Sequence, residues 1–136
     1  RAIRADKLCL AGLSATLAHY VKGEALQKVP IWQMMGRSLA DIEADAQAWA
    51  MQWRSQGLTV MVVDGESAVG GGSLPGTTIP SKVIALQTEN PTAWAKRLRQ
   101  NGVVGRIKDG RLLLDPRTVL PNQVDELLTA VVNSAL

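Results

Sequence analysis

The first hydrophobic stripe along the chain has the spacing of a helix. Apolar residues recur there at intervals of three and four positions. Asp6 stands where a helix N-cap is expected, so the pattern predicts a helix over about 6–21. An apolar connector follows at residues 24–37, interrupted by Pro30 and Gly36. We expect this connector to pack on a neighbouring lobe. The stripe consists of Leu10, Leu13, Leu17 and Val21.

A second, longer stripe predicts a helix that begins after Ser38. Ser38 and Asp41 resemble a capping box, and Gly57 is a typical residue to end a helix. Acidic residues fall in the first turns, where they suit the positive end of the helix dipole. The acidic middle of the chain is thus explained by helix stability and needs no catalytic role. The stripe consists of Leu39, Ile42, Ala46, Trp49 and Trp53.

Short apolar runs predict a sheet in the second half of the chain. The first run is apolar on both faces, which predicts a central strand. The segment 64–81 behind it is predicted to be irregular. Asp109 and Gly110 predict the two-residue turn of a hairpin. The four predicted strands are 59–63, 82–88, 103–108 and 111–114.

Two further helices complete the prediction. One is capped by Asn90 and ended by Gly102, and Pro121 opens the last one. The order α, α, β, β, α, β, β, α predicts an α+β fold, with a small, mostly antiparallel four-stranded sheet that carries helices on one face and is preceded by a linking helix. We expect residues 1–37 to form the linking helix and connector, and residues 38–136 a small α/β domain.

Composition places the chain among ordinary globular proteins. Of its 136 residues, 46% are hydrophobic and 20% are charged, which argues against global disorder. The net charge is +3, and the basic excess lies near the two ends. The sequence has no block of like charges, and its basic residues do not alternate with aromatic ones. A stand-alone nucleic-acid binder is therefore not indicated. Because the first residue is Arg1 rather than Met, we expect a processed product or a piece of a longer protein.

The chain has one cysteine and one histidine, which limits the disulfides, metal sites and catalytic groups that it can form. Cys9 is the only cysteine, so no intrachain disulfide is possible; we expect a small core residue in a reducing compartment. With His19 as the only histidine, a structural zinc site is not expected. A Ser-His-Asp triad would have to use a histidine inside an apolar helix. The longest uncharged apolar stretch, 8–21, is too short to cross a bilayer, which needs about 20 residues.

Two segments carry candidate binding residues. Arg1, Arg4 and Lys7 have helical spacing, which is typical either of a solvated surface or of a site for an anionic ligand. The run Gly70–Gly72 costs backbone entropy and predicts either a wide turn between strands or a backbone that closely approaches a ligand or another subunit. No Lys-Ser or Lys-Thr pair follows it, as a P-loop requires. It also lacks the third glycine and the following helix of a dinucleotide fingerprint.

Three motifs in order resemble one family. Residues 1–8 (Arg-Ala-Ile-Arg-Ala-Asp-Lys-Leu), 69–76 (Val-Gly-Gly-Gly-Ser-Leu-Pro-Gly) and 104–115 (Val-Gly-Arg-Ile-Lys-Asp-Gly-Arg-Leu-Leu-Leu-Asp) resemble segments of bacterial L-seryl-tRNA(Sec) selenium transferases, the selenocysteine synthases. The resemblance implies the fold of type I pyridoxal-phosphate enzymes, with this chain as the small C-terminal domain plus the linking helix. Cys9–Gly12 and several tryptophans depart from the family pattern.

The resemblance also implies functional residues. Arg1 and Arg4 match arginines that hold the anionic selenium donor, and guanidinium groups suit such oxyanions. Gly70, Gly71, Gly72 and Ser73 form the family's glycine loop, a candidate contact. The family's Schiff-base lysine lies upstream in a Ser-Gly-Asp-Lys stretch that this sequence lacks, as it lacks the tRNA-binding N-terminal domain. No catalytic, cofactor-binding or metal-binding residue is therefore expected within this chain.

The implied reaction converts seryl-tRNA(Sec) to selenocysteinyl-tRNA(Sec) with selenophosphate, and the chain alone is expected to be inactive. Pyridoxal 5′-phosphate is the implied cofactor of the full-length enzyme. The implied partners are tRNA(Sec), selenophosphate and further copies of the full-length protein, with no membrane and a cytoplasmic location. Two alternatives stay open: a related pyridoxal-phosphate enzyme with a small-molecule substrate, and a non-enzymatic interaction domain that docks through residues 29–35.

Overall fold

The computed structural model describes residues 5–70 and 76–135. The chain forms two compact units, Arg1–Gly36 and Arg37–Leu136. The first unit contains helices α1 (Lys7–Val21), α2 (Ala25–Lys28) and α3 (Pro30–Gly36). The second contains α4 (Leu39–Ser55), β1 (Val60–Ala68), β2 (Thr78–Leu86), α5 (Pro91–Gln100), β3 (Arg106–Lys108), β4 (Arg111–Leu114) and α6 (Val124–Ala135). Two short 3₁₀ turns lie at Pro116–Thr118 and Pro121–Gln123.

The first unit is more helical than the sequence predicts. Asp6 caps α1, since its Oδ1 accepts a hydrogen bond from the Cys9 backbone N at 2.8 Å. The predicted connector over 24–37 contains the short helices α2 and α3, and Pro30 is the first residue of α3, where a helix needs no N–H donor. The prediction that Cys9 is a core residue is wrong: Cys9 is exposed, and no described residue of α1 is buried.

His19 takes part in a local contact at the end of α1. Its Nδ1 lies 2.7 Å from Oε1 of Glu24, and this hydrogen bond lowers the pKa of the Glu24 carboxyl below its ordinary value. The backbone N of Glu24 also donates to the carbonyl of His19 at 2.9 Å. The histidine therefore helps to close the turn that follows α1.

The second unit is built on an antiparallel sheet with strand order β1-β2-β4-β3. β1 and β2 pair over nine residues, from Val60 opposite Leu86 to Ala68 opposite Thr78. The predicted central strand is therefore an edge strand, and residues 64–68 and 78–81 of the segment predicted as irregular are paired in the ladder. Residues 64–68 have few strand-forming side chains, but the long ladder to β2 holds them in the sheet.

Helices α4, α5 and α6 cover one face of this sheet. In the strand register, Val60 pairs with Leu86, which pairs with Leu112, and these three share the face that packs into the core. The fully buried Trp53 of α4 donates its indole N–H to the carbonyl of Leu128 in α6 at 3.2 Å. The predicted α+β fold, with an antiparallel four-stranded sheet and helices on one face, is confirmed.

The β3–β4 hairpin turns at Asp109 and Gly110 as predicted, with φ angles of 50° and 71° that suit a type I′ turn. Strand β3 begins only at Arg106, later than predicted. The backbone N of Val103 still bonds to the carbonyl of Leu98 and so belongs to the exit from α5. The last helix is likewise preceded by a 3₁₀ turn, which starts at Pro121.

Candidate functional site

The glycine loop connects β1 to β2 along the chain. Gly70 and Gly76 stand on either side of residues 71–75, with φ angles of 146° and 79° that favour glycine. The ladder of β1 and β2 reaches the loop through a 3.3 Å hydrogen bond from Val69 N to the carbonyl of Thr77. Of the predicted site residues, only Gly70 falls within the described part of the chain. The others, Arg1, Arg4, Gly71, Gly72 and Ser73, lie outside the described residues.

A half-buried carboxylate joins the two arms of the β1–β2 hairpin. The Asp115 carboxylate accepts hydrogen bonds from the hydroxyl of Ser67 on β1 at 2.5 Å and from the hydroxyl of Ser81 on β2 at 2.8 Å. The backbone N of Arg117 adds a third at 3.0 Å. Ser67 and Ser81 are 7% and 2% exposed, so their hydroxyls need these partners. Asp115 therefore fixes the arms that lead into the glycine loop.

Arg117 extends this cluster to the start of the second unit. Its guanidinium is buried and donates to the carbonyl of Arg37 at 3.0 Å and to that of Pro80 at 2.7 Å. Arg37 returns a bond to the carbonyl of Pro116 at 2.9 Å and pairs with Asp45 of α4. Burial lowers the pKa of Arg117 below its ordinary value, and nearby Asp115 opposes this effect. A buried guanidinium thus ties β2 to the entry into α4.

Sequence patterns alone do not predict this cluster. Its available signal was local: a serine in each arm of the hairpin, and an Asp-Pro-Arg sequence directly after β4. The partners of Asp115 are 48 and 34 residues away along the chain, so only the fold brings them together.

A groove of about 760 Å³ lies on the sheet between the loop arms and the β3–β4 hairpin. Gly65 keeps part of it open, since a Cβ there would lie 2.8 Å from Cγ1 of Val83. Its apolar lining includes Val63, Val83, Ala85 and Leu113. Its polar lining includes three basic residues of the hairpin and the carboxylates of Asp64, Glu66 and Asp109.

We call the three basic residues Arg106, Lys108 and Arg111 the cationic hairpin. All three are exposed and line the groove. Lys108 and Arg111 are directly opposite in the strand register. Arg106 donates from Nη1 to the backbone carbonyl of Glu66 on β1 at 3.1 Å, so its side chain reaches across the sheet. Such a surface can bind an anionic ligand.

Lys82 differs from these three because it is paired. Its Nζ lies 2.7 Å from Oδ1 of Asp64 and 3.6 Å from Oε1 of Glu43. The hydrogen bond to Asp64 raises the pKa of Lys82 above its ordinary value, with a smaller contribution from Glu43. This lysine therefore links β2 to β1 and to α4.

Within residues 5–70 and 76–135, no group of three or more His, Cys, Asp and Glu side chains is placed to hold a metal ion. No helix in that same part of the chain is long and apolar enough to span a bilayer. The described geometry offers a cationic surface that can bind an anion and two hairpin arms held together by Asp115.

Comparison with known proteins identifies the family. The family model of L-seryl-tRNA selenium transferase (SelA) matches residues 1–120. The chain is 36% identical to the L-seryl-tRNA(Sec) selenium transferase of Geobacter sulfurreducens over 139 aligned positions, covering 96% of this chain and 30% of that protein. It is 38% identical to the enzyme of Desulfovibrio desulfuricans, covering 88% and 27%. With that of Hyphomonas neptunium the identity is 34%, covering 100% and 31%.

The chain thus spans about 30% of the length of these relatives. The match reaches from the first residues through the glycine loop and the β3–β4 hairpin to the Asp115 cluster. The chain belongs to the L-seryl-tRNA selenium transferase family.

Proposed function

We propose that this chain is the C-terminal part of an enzyme that converts seryl-tRNA(Sec) to selenocysteinyl-tRNA(Sec) with selenophosphate. The observation that carries the proposal is the family match over residues 1–120, together with relatives named for this reaction. In this proposal residues 1–37 are the linking helix and connector, and residues 38–136 are the small domain. The chain alone is inactive, and the complete protein is a cytoplasmic homo-oligomer.

The lysines of the described chain do not fit a Schiff base with pyridoxal phosphate. Such a lysine needs a pKa low enough to supply a neutral amine. Lys82 is held by two carboxylates that raise its pKa. The other five are exposed: Lys7, Lys22, Lys28, Lys96 and Lys108. We therefore place the cofactor lysine on a part of the protein outside these 136 residues and derive no step through the cofactor.

In the proposed enzyme this chain supplies binding and positioning. Arg1 and Arg4 hold the phosphate of the selenium donor, since a guanidinium forms two parallel hydrogen bonds with such an oxyanion. The loop of Gly70, Gly71, Gly72 and Ser73 brings its backbone close to a ligand, because three glycines offer no side-chain obstruction. The Asp115 cluster holds the arms of that loop.

The proposal is tested with the complete natural protein, supplied with pyridoxal phosphate, selenophosphate and one acceptor at a time. Seryl-tRNA(Sec) is expected to be converted, whereas seryl-tRNA(Ser) and free serine are not. The 136-residue chain alone, given the same mixture, is expected to form no product. Turnover of free serine or another small amine without conversion of seryl-tRNA(Sec) would assign the protein to the alternative with a small-molecule substrate.

A further inference from the structure

The cationic hairpin has a charge arrangement that opposes its own folding. Lys108 and Arg111 face each other directly across the β3–β4 ladder. Side chains at such positions lie close together, and like charges there are destabilising. Arg106 pairs with Leu113 two positions along the same face, about 7 Å away by strand geometry. The short hairpin thus presents three cations on one face.

These cations are not neutralised by the described residues. Within residues 5–70 and 76–135, no carboxylate oxygen lies within 4.0 Å of the charged groups of Arg106, Lys108 or Arg111. Among the described residues, the one side-chain hydrogen bond that these three cations make runs from Arg106 to a neutral backbone carbonyl. Most side-chain N–H groups of Arg106, Lys108 and Arg111 therefore remain available to solvent or to a ligand.

The acidic residues of the groove are placed differently. Asp64 is engaged by Lys82 at 2.7 Å, and Glu66 lies on the edge strand β1. Asp109 occupies the hairpin turn itself. An extended anion can therefore lie along β3 and β4, where it meets Lys108 and Arg111 and, toward β1, the guanidinium of Arg106. The three cations lie at two levels of the β3–β4 ladder, with Lys108 and Arg111 at one level and Arg106 two positions further along the same face. This spread suits a chain of phosphates better than a single small anion.

The lining of the groove also indicates what is recognised. No aromatic residue occurs among the described residues that line it. Stacking on aromatic rings, the usual way of holding unpaired bases, is thus not provided there. The contact is electrostatic, made to the phosphate backbone, and independent of base sequence.

We propose that the cationic hairpin of Arg106, Lys108 and Arg111 is a phosphate-binding surface for the backbone of the RNA substrate. The identity of the polyanion as RNA rests on the proposed function, whereas the surface itself rests on the unneutralised cross-strand charges. The hairpin contributes affinity and orientation to an RNA whose identity is read elsewhere in the protein.

The test uses the complete protein and two double variants with the same change in charge. Lys108→Gln/Arg111→Gln removes the opposed pair and relieves its repulsion, so the fold is expected to be kept. Lys96→Gln/Arg99→Gln removes two exposed cations from α5, away from the groove. Dissociation constants are measured by filter binding for unacylated tRNA(Sec) and for an unrelated tRNA over a range of salt concentrations.

The hairpin variant is expected to lower the magnitude of the slope of log K against log salt by about 1.4, for two lost contacts at ~0.7 each. At 0.1 M salt this corresponds to binding weakened roughly 25-fold, by a similar factor for both RNAs. The α5 variant is expected to bind as the unmodified protein does.

Unchanged binding and slope in the hairpin variant, or an equal loss in the α5 variant, would overturn the inference. So would a changed oligomeric mass with unchanged RNA affinity, since the hairpin would then face an acidic protein surface. Selenium transfer by the unmodified protein is measured separately. If transfer is absent but the salt slope still depends on the hairpin, the proposed function is overturned and the phosphate-binding surface is supported. If transfer is normal but the hairpin variant leaves the slope unaltered, the surface is overturned and the proposed function is supported.

Discussion

The hydroxyl of Ser81 donates a 2.8 Å hydrogen bond to Oδ1 of Asp115, which lies 34 residues later in the chain. With the bond from Ser67 to Oδ2 of the same carboxylate, this contact ties both arms of the glycine-loop hairpin to the end of β4. The two arms are therefore held by a largely buried polar cluster as well as by apolar packing. Buried polar clusters are sensitive to the loss of a single member, because the remaining groups lose their partners.

Replacing Asp115 with alanine is expected to destabilise the chain. The hydroxyls of Ser67 and Ser81 would each lose the partner given above while staying buried. The free energy of unfolding should fall by about 2–3 kcal/mol, measured by urea unfolding. Glu89→Ala, at an exposed position before α5, serves as the control and should change it by less than ~0.5 kcal/mol. Equal stability of the two variants would show that the cluster does not hold the hairpin.

Replacing Gly65 with alanine is expected to cost stability because the new Cβ would meet Cγ1 of Val83 at 2.8 Å. The strain should lower the free energy of unfolding by about 1–3 kcal/mol. Adding Val83→Ala removes the obstructing methyl groups, so the double variant should lose less than the sum of the two single losses. Simple additivity in thermal or urea unfolding would contradict the close approach.

Replacing Lys82 with methionine is expected to change how stability depends on pH at the alkaline end. The pKa of Lys82 is raised above its ordinary 10.5 in the folded chain. The stabilisation from its ion pairs is therefore fully present below pH 10.5 and is lost as pH rises through the raised value. Unfolding curves between pH 8 and 12 should show a shallower alkaline decline in Lys82→Met than in the unmodified chain. Parallel curves would refute the ion-pair account.

Replacing Arg4 with alanine in the complete protein tests the proposed donor site. Loss of a guanidinium that binds an oxyanion should raise the KM for selenophosphate about tenfold or more and leave pyridoxal-phosphate binding unchanged. Lys22→Ala, at an exposed lysine of the same unit, removes an equal charge and should leave KM unaffected. Loss of cofactor binding in Arg4→Ala would instead place that arginine at the cofactor.

Local rules predicted the parts of the fold that depend on neighbouring residues. The caps at Ser38 and Asn90 form hydrogen bonds to residues three positions ahead, and the Asp109-Gly110 turn has the positive φ angles that its type requires. Each of these features lies within a single turn of chain, so its signal is present in the sequence itself.

Features that depend on distant partners were predicted less well. Residues 64–68 belong to β1 because β2 pairs with them, although few of them favour strands. Asp115 accepts hydrogen bonds from serine hydroxyls on β1 and β2, and no rule of sequence spacing predicts these contacts. The roles of Arg1 and Arg4 follow from the family resemblance and stay predictions.

The most direct test of the proposed function is the identity of the amino acid on tRNA(Sec) after reaction. Seryl-tRNA(Sec) is incubated with the complete protein, pyridoxal phosphate and selenophosphate, then deacylated, and the released amino acid is identified by mass. Selenocysteine is expected in place of serine. Recovery of serine alone, with a known selenium transferase converting the same substrates in parallel, would contradict it.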